Sequence, residues 1–187
     1  MNKISALTFS LAGDKYLGRA YAEMDCQAFV EKCMADVGFR KDLAGSNAWY
    51  RECVKNGWAG TPEECVKEFG LVPKGALLFI LEQDGKEPAK YRGDGIGNAS
   101  HIGIKTGRGK GAIHSSSSRG CVAESEFHDK TIRNGGWNRV AVITAGFAFL
   151  GVYMSNRKQA ALVAYRLESR RKRWTSTYTC REIPSGC

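Results

Sequence analysis

No run of the 187-residue chain is apolar for long enough to cross a bilayer, so it offers no helical membrane span. The nearest approach to a leader is Met1-Asn2-Lys3 followed by Ile4 to Ala12. It is broken by Thr8 and Ser10 and stopped by Gly13-Asp14-Lys15, and it reads as a domain helix and not as a secretion signal. The seven cysteines, Cys26, Cys33, Cys53, Cys65, Cys121, Cys180 and Cys187, are odd in number and contain no Cys-x-x-Cys pair. That argues against a zinc site and against a complete disulfide framework, so most are expected to be reduced, with Cys180 and Cys187 able to cross-link if oxidised. Histidine is scarcer, at three residues, and any imidazole chemistry must come from His101, His114 or His128. Acidic residues are outnumbered, 19 against 28 basic, giving a net charge of +9. A hydrophobic content of 43% with 25% charged residues is ordinary, and the length suits one domain with a substantial core.

What is present is concentrated in Tyr21-Ala22-Glu23-Met24-Asp25-Cys26-Gln27-Ala28-Phe29-Val30. Ala28, Phe29, Cys33, Met34 and Val37 recur at helical spacing, Gln27, Glu31, Lys32 and Asp36 fill the other faces, and Gly38 supplies a stop. Cys26 therefore falls in the first turn of a helix. Unpaired N–H groups and the helix dipole favour a thiolate there, and the thiolate is the nucleophilic form. Cys33, seven residues on and on the same face, reads as a small core residue.

His101 opens Ser100-His101-Ile102-Gly103-Ile104-Lys105, an alternating run closed by Thr106-Gly107. His114 ends Gly111-Ala112-Ile113-His114-Ser115, which reads as the return arm of a hairpin across Gly107 to Gly111, bringing the two histidines onto neighbouring strands. A thiol, a base and a polar group that orients the base make up the nucleophilic triad pattern. His128 follows Glu126-Phe127 in a connection and receives no role, and the run Ser115 to Ser118 reads as a turn.

Four stretches together resemble the NlpC-type cell-wall cysteine peptidases. Leu17-Gly18-Arg19-Ala20-Tyr21 is similar to that family's Leu-Gly-x-x-Tyr entry, and Asp25-Cys26-Gln27-Ala28-Phe29-Val30 to its Asp-Cys-Ser-Gly-Phe-Val nucleophile motif. Val72-Pro73-Lys74-Gly75-Ala76-Leu77-Leu78-Phe79 resembles a turn and strand that normally read Pro-Gly-Asp-Leu-Val-Phe. His101-Ile102-Gly103-Ile104 and Ile113-His114-Ser115-Ser116 resemble the His-Val-Gly-Ile strand and its Ile-His-Ala-Ser return. The similarity spans about residues 11 to 144. Gln27-Ala28 departs from the usual Ser-Gly, and the loop from Tyr21 to Cys26 is shorter than the family's glycine-rich one. Extra sequence lies between Cys26 and His101: a helix-like Ser46 to Cys53 and a capped segment, Thr61-Pro62-Glu63-Glu64-Cys65-Val66.

The resemblance implies an α+β, papain-like domain over residues 1–150, with the nucleophile helix packed on an antiparallel sheet built from about 76–81, 101–105, 112–115, 121–123 and 140–144. It implies hydrolysis of an amide in peptidoglycan stem peptides, often the bond from D-glutamate to a diamino acid. Cys26 would attack, His101 would act as base, His114 would orient it, and the Tyr21 hydroxyl with the Cys26 N–H would hold the oxyanion. Asp25, Gln27 and Trp137 are the expected substrate contacts, although Trp137, in the loop Lys130 to Asn138, could equally pack. No metal or organic cofactor is called for. Without a secretion signal, the enzyme is expected to be made in the cytoplasm and to reach the bacterial wall through lysis, phage delivery or dedicated secretion.

Residues 151–187 form a separate basic tail. From Arg157 onward it carries eight basic and two acidic residues, +6 of the +9 total. Ala160 to Leu167 reads as helical and Arg170-Arg171-Lys172-Arg173-Trp174 as a site for an anionic wall polymer, with nucleic acid, supported by charge alone, the less favoured partner. Two other classes stay open: an amidase, acyltransferase or deamidase using the same thiol on another substrate, and a non-catalytic basic binding module.

Overall fold

The computed structural model describes residues 4–127, 136–143 and 147–148. It is a mixed α+β fold in which four helices accompany a six-stranded antiparallel sheet of order β2-β7-β3-β4-β5-β6. Those strands are β2 (Trp58–Gly60), β3 (Leu77–Glu82), β4 (Asn98–Lys105), β5 (Gly111–Ser116), β6 (Cys121–Glu126) and β7 (Arg139–Val142). A separate two-stranded parallel sheet joins β1 (Ile4–Ser5) to β8 (Phe147–Ala148). No helix among the described residues is long and apolar enough to cross a membrane.

The helices begin where the local chemistry dictates. In α2 (Cys26–Asp36) the Asp25 carboxylate caps the first turn by accepting the Ala28 N–H at 2.8 Å, and Gly38, with φ +87°, lets the chain turn away after Val37. In α4 (Pro62–Phe69), Thr61 and Glu64 form a reciprocal capping box, Pro62 occupies the first turn, and Gly70 closes the helix in the left-handed conformation. The remaining two are α1 (Ala6–Leu11) and α3 (Ser46–Asn56).

Helix α2 turns Phe29, Val30, Cys33 and Met34 onto the sheet, where they meet Phe79, Ile102, Ile104 and Ile113, while α3 adds Trp49, Tyr50 and Cys53 to the same core. Cys33 is fully buried in this core, as its helical position implied. Gly13 lies so close to α2 that an added Cβ would sit 2.8 Å from the Phe29 ring, so the segment before α2 depends on glycine there.

Three irregularities shape the sheet around His101. Ile80 faces His101 but Leu81 faces Ala99, so Ser100 is an extra residue on β4 and the strand is bulged immediately before His101. The β4–β5 ladder contains only Ile104–Ile113 and Lys105–Ala112, so the two strands are unpaired toward the His101 end. On the other side of β5, pairing with β6 is continuous from Gly111–Glu126 to Ser116–Cys121, and β6 is flanked in turn by Ala20, bridged to Cys121.

Five of the six sheet strands match the pattern expected from sequence, most of them over longer spans. Strand β2 escapes that pattern because its three residues lie between two helices and are too few for an alternation. The helix expected from Ile4 begins at Ala6, because Ile4 and Ser5 pair with β8. Thr144, His128, the stretch 130–134, Cys180, Cys187 and the whole tail lie outside the described residues.

Because Phe29 is fully buried and lies edge-on to Tyr16 at 6.3 Å, Phe29→Ala should cost about 3–5 kcal/mol in denaturant unfolding. Val54→Ala, at a 48% exposed position, should change stability by less than about 0.5 kcal/mol in the same assay.

Candidate active site

Cys26 is the first residue of α2, half-buried, and its sulfur lies against the backbone N–H groups of Ile102, Gln27 and Cys26 itself. The contact with Ile102 follows from the open ladder: beyond Ile104 no β5 partner is paired with β4, and the helix N-terminus fills the gap. Burial pushes the thiol pKa up and the Asp25 carboxylate adds to this, outweighing the three amides that favour the thiolate. The thiol therefore carries its proton at rest. The other described cysteines are also free thiols, and Cys33 and Cys53, fully buried, are pushed up by burial as well.

His101 precedes Ile102 on β4, and strand alternation sends its side chain to the opposite face from Ile102. Its Nε2 lies 2.6 Å from Nδ1 of His114, with the rings edge-on and their centroids 4.8 Å apart. His101 thus engages His114 through one ring nitrogen and keeps Nδ1 for another partner. If Nδ1 is to accept a proton, Nε2 must carry the hydrogen and donate to His114 Nδ1, which places the His114 hydrogen on its own Nε2. Burial depresses the His101 imidazole to a pKa of about 4, and burial, with smaller contributions from His101 and Arg119, brings His114 to about 4 as well, so both are neutral near pH 7.

Trp137 covers this pair. It is 2% exposed, stacks on His101 with centroids 5.3 Å apart at 27°, meets the edge of His114 at 5.2 Å, and donates its indole N–H to Ser125 Oγ at 2.9 Å. Of the two roles open to it, lining a cleft or packing, the structure shows packing, as a roof over the imidazoles. Gly103 permits this approach. A Cβ there would lie 2.7 Å from Trp137 Cη2, 3.1 Å from His114 Cβ and 3.1 Å from the Ile113 carbonyl oxygen.

Tyr21 is held beside Cys26 by its own backbone, whose N–H donates to the Gly120 carbonyl at 2.8 Å while the neighbouring Arg19 and Val122 pair at 2.8 Å. Burial pushes the phenol pKa up, and the proximity of Cys26 and Asp25 pushes it the same way, so the hydroxyl keeps its proton and can donate. Asp25 is engaged in capping α2. Gln27, expected to contact substrate, directs its amide away into the structure, donating to the Leu43 carbonyl and to Glu31 Oε1 at 3.0 Å. The same Glu31 oxygen also accepts the Leu43 N–H at 2.9 Å and the Trp49 indole N–H at 2.7 Å. Gln27 therefore ties the segment before α3 to α2.

Two polar residues absent from the expected set bear on the site. Ser46 Oγ donates to the Ala99 carbonyl at 2.6 Å, fixing the start of α3 to the bulged end of β4. Ser115, fully buried, donates to the Met24 carbonyl at 2.5 Å. By composition Ser115 belongs to a serine-rich turn; the signal that places it on the strand is the hairpin alternation itself, which turns residue 115 to the face opposite His114. The cavity of about 30 Å³ between Phe39, Lys41, Trp49 and Ile143 includes none of these residues.

Compared with protein-family models, with curated proteins and with solved structures, the chain finds no match.

The buried pair should show in a pH titration. Folded-state values near 4, against about 6.5 in an unfolded chain, mean that the unfolded state takes up protons first as pH falls. Stability present above pH 6.5 should therefore decline between about pH 6.5 and 4. Imidazole NMR signals of the native protein should stay neutral until near pH 4 and then titrate as a coupled pair.

Gly103→Ala should displace the Trp137 indole, seen as a shift of its N–H resonance, and cost about 1–3 kcal/mol by overpacking.

Proposed function

We propose that the protein is a papain-like cysteine peptidase of the cell-wall type, hydrolysing an amide bond in peptidoglycan stem peptides. The observation that carries this reading is the 2.6 Å contact between His101 Nε2 and His114 Nδ1 on a strand whose next residue, Ile102, meets the Cys26 thiol. The order of motifs along the chain supplies the substrate class through its resemblance to the NlpC-type family.

In this mechanism the scissile carbonyl enters beside the start of α2. His101 Nδ1 takes the thiol proton as the Cys26 sulfur bonds to the carbonyl carbon, and the carbonyl π electrons move onto oxygen. The Cys26 N–H and the Tyr21 hydroxyl donate to that oxyanion, and His114 holds the imidazolium through the Nε2 hydrogen bond. Collapse expels the amine, which takes the proton from His101 and leaves an acyl-thioester. A water deprotonated by His101 then attacks the thioester, and the proton returns to sulfur as the acid departs. Only this chain's side chains and water take part.

The basic run Arg170 to Arg173 is proposed to hold an anionic wall polymer, a role that is separable from the chemistry.

The test is mass spectrometry of muropeptides after incubation with purified protein, which reports cleavage and the bond cut together. Cys26→Ala and His101→Ala should each lower turnover by more than about a hundredfold while remaining folded, because each removes a group the bond-making step requires. His114→Asn should retain measurable turnover, since an amide can still accept from His101 Nε2. Full activity of Cys26→Ala would overturn the mechanism. Efficient hydrolysis or acyl transfer only on other amide substrates would keep the mechanism and replace the substrate.

A further inference from the structure

We propose that Ser115 is a positioning residue, setting the distance between the nucleophile turn and the imidazole strand. Its hydroxyl is completely buried and spans 91 residues of sequence to donate to the Met24 carbonyl at 2.5 Å. Met24 is two residues before Cys26 in the turn that enters α2, and Ser115 is adjacent to His114 on β5. One strand therefore presents an imidazole to His101 on one face and holds the thiol-bearing turn on the other. The hydroxyl ties the turn to β5 on the side where the β4–β5 ladder is open, while the backbone bond from Tyr21 N–H to the Gly120 carbonyl holds only the start of the turn. The turn has its own internal bonds, Met24 N–H to the Tyr21 carbonyl and Glu23 N–H to the Ala20 carbonyl, both 3.1 Å, which shape it without fixing it to β5.

The need for such a tie arises from two features of this chain. The turn from Tyr21 to Cys26 is short, and the residue after His114 is serine, where the motif it resembles has alanine. A buried serine whose hydroxyl is lost leaves the Met24 carbonyl without its donor, and the turn must move to recover one. Displacement on the scale of an ångström at a reacting pair costs up to about a hundredfold in rate, so a small shift is enough to be measured.

Granting Cys26 and His101 the roles proposed above, the experiment is the rate of Cys26 alkylation by iodoacetamide at pH 7, read by peptide mass mapping. It needs no substrate. Ser115→Thr and Ser115→Val differ by a hydroxyl against a methyl group at nearly equal volume, and each is made with His101 present and with His101→Ala. Ser115→Ala is carried alongside, with melting temperature measured for all. With His101 present, Val and Ala should react about tenfold more slowly than Thr, because the sulfur is no longer placed for proton transfer to the imidazole. In the His101→Ala background, the Thr and Val variants should react equally. Equal rates with His101 present would overturn the proposal, as would a Thr–Val difference of the same size in both backgrounds, which would mark a purely structural serine. Failure of the nucleophile–base reading has a separate signature: His101→Ala alone would leave the alkylation rate of the parent unchanged.

Discussion

The end of the β4–β5 ladder at Ile104–Ile113 is the constraint on which the site depends. Antiparallel neighbours that stayed paired through His101 would satisfy the Ile102 N–H within the sheet and leave no place for a helix terminus. Because they part, the first turn of α2 comes against β4, the thiol finds the Ile102 amide, and the residue just before it is the histidine. The bulge at Ser100 belongs to the same departure from regularity, since it changes the register of β4 immediately before His101. The core keeps the opening from collapsing: Phe29 and Val30 of α2 pack with Ile102 and Ile113 on one face, and Trp137 packs over both imidazoles on the other.

Burial then sets the protonation state. It moves the Cys26 thiol upward and both histidines downward, so at rest the thiol keeps its proton and the two imidazoles are neutral. Three amides at the sulfur favour its charged form, but they do not generate it in the free protein. In the proposed mechanism the proton leaves sulfur during attack, when the developing oxyanion and imidazolium appear together and offset one another's charge in a dry site. With its pKa raised, the free thiol is held in its less oxidisable, protonated state.

How much of this could be read from sequence divides along physical lines. Local signals were legible: Cys26 at the start of a helix, the hairpin bringing His101 to His114, and the capped segment at Thr61. Each depends on neighbours in sequence or on strand alternation. What escaped depends on long-range approach. The hold of Leu43 and Glu31 on the Gln27 amide is one such approach. Trp137 left both roles open, because burial over two imidazoles is a property of the sheet face and not of its flanking residues. The three-residue β2 had no periodicity to find, and the unpaired stretch of β4 has no sequence mark at all.

The departures from the motif are connected in the structure. Gln27 anchors the start of α2 through Leu43 and Glu31 to the segment leading into α3. Helix α3 is in turn tied to β4 through Ser46 and the Ala99 carbonyl, and Asn47 Oδ1 accepts the Ala99 N–H at 3.0 Å. Arg51 extends the chain of contacts, donating to Asn47, to the Gly97 carbonyl and to both oxygens of Asp94 while stacking on Tyr91. Helix α3 therefore braces β4 near His101 from one side, and Ser115 holds the turn before α2 from the other. A short turn with no glycine between Tyr21 and Cys26 has little slack to adjust itself. Placement of the thiol is accordingly carried by polar contacts distributed across α2, α3, β4 and β5, and the changes in sequence around Cys26 are intelligible only together.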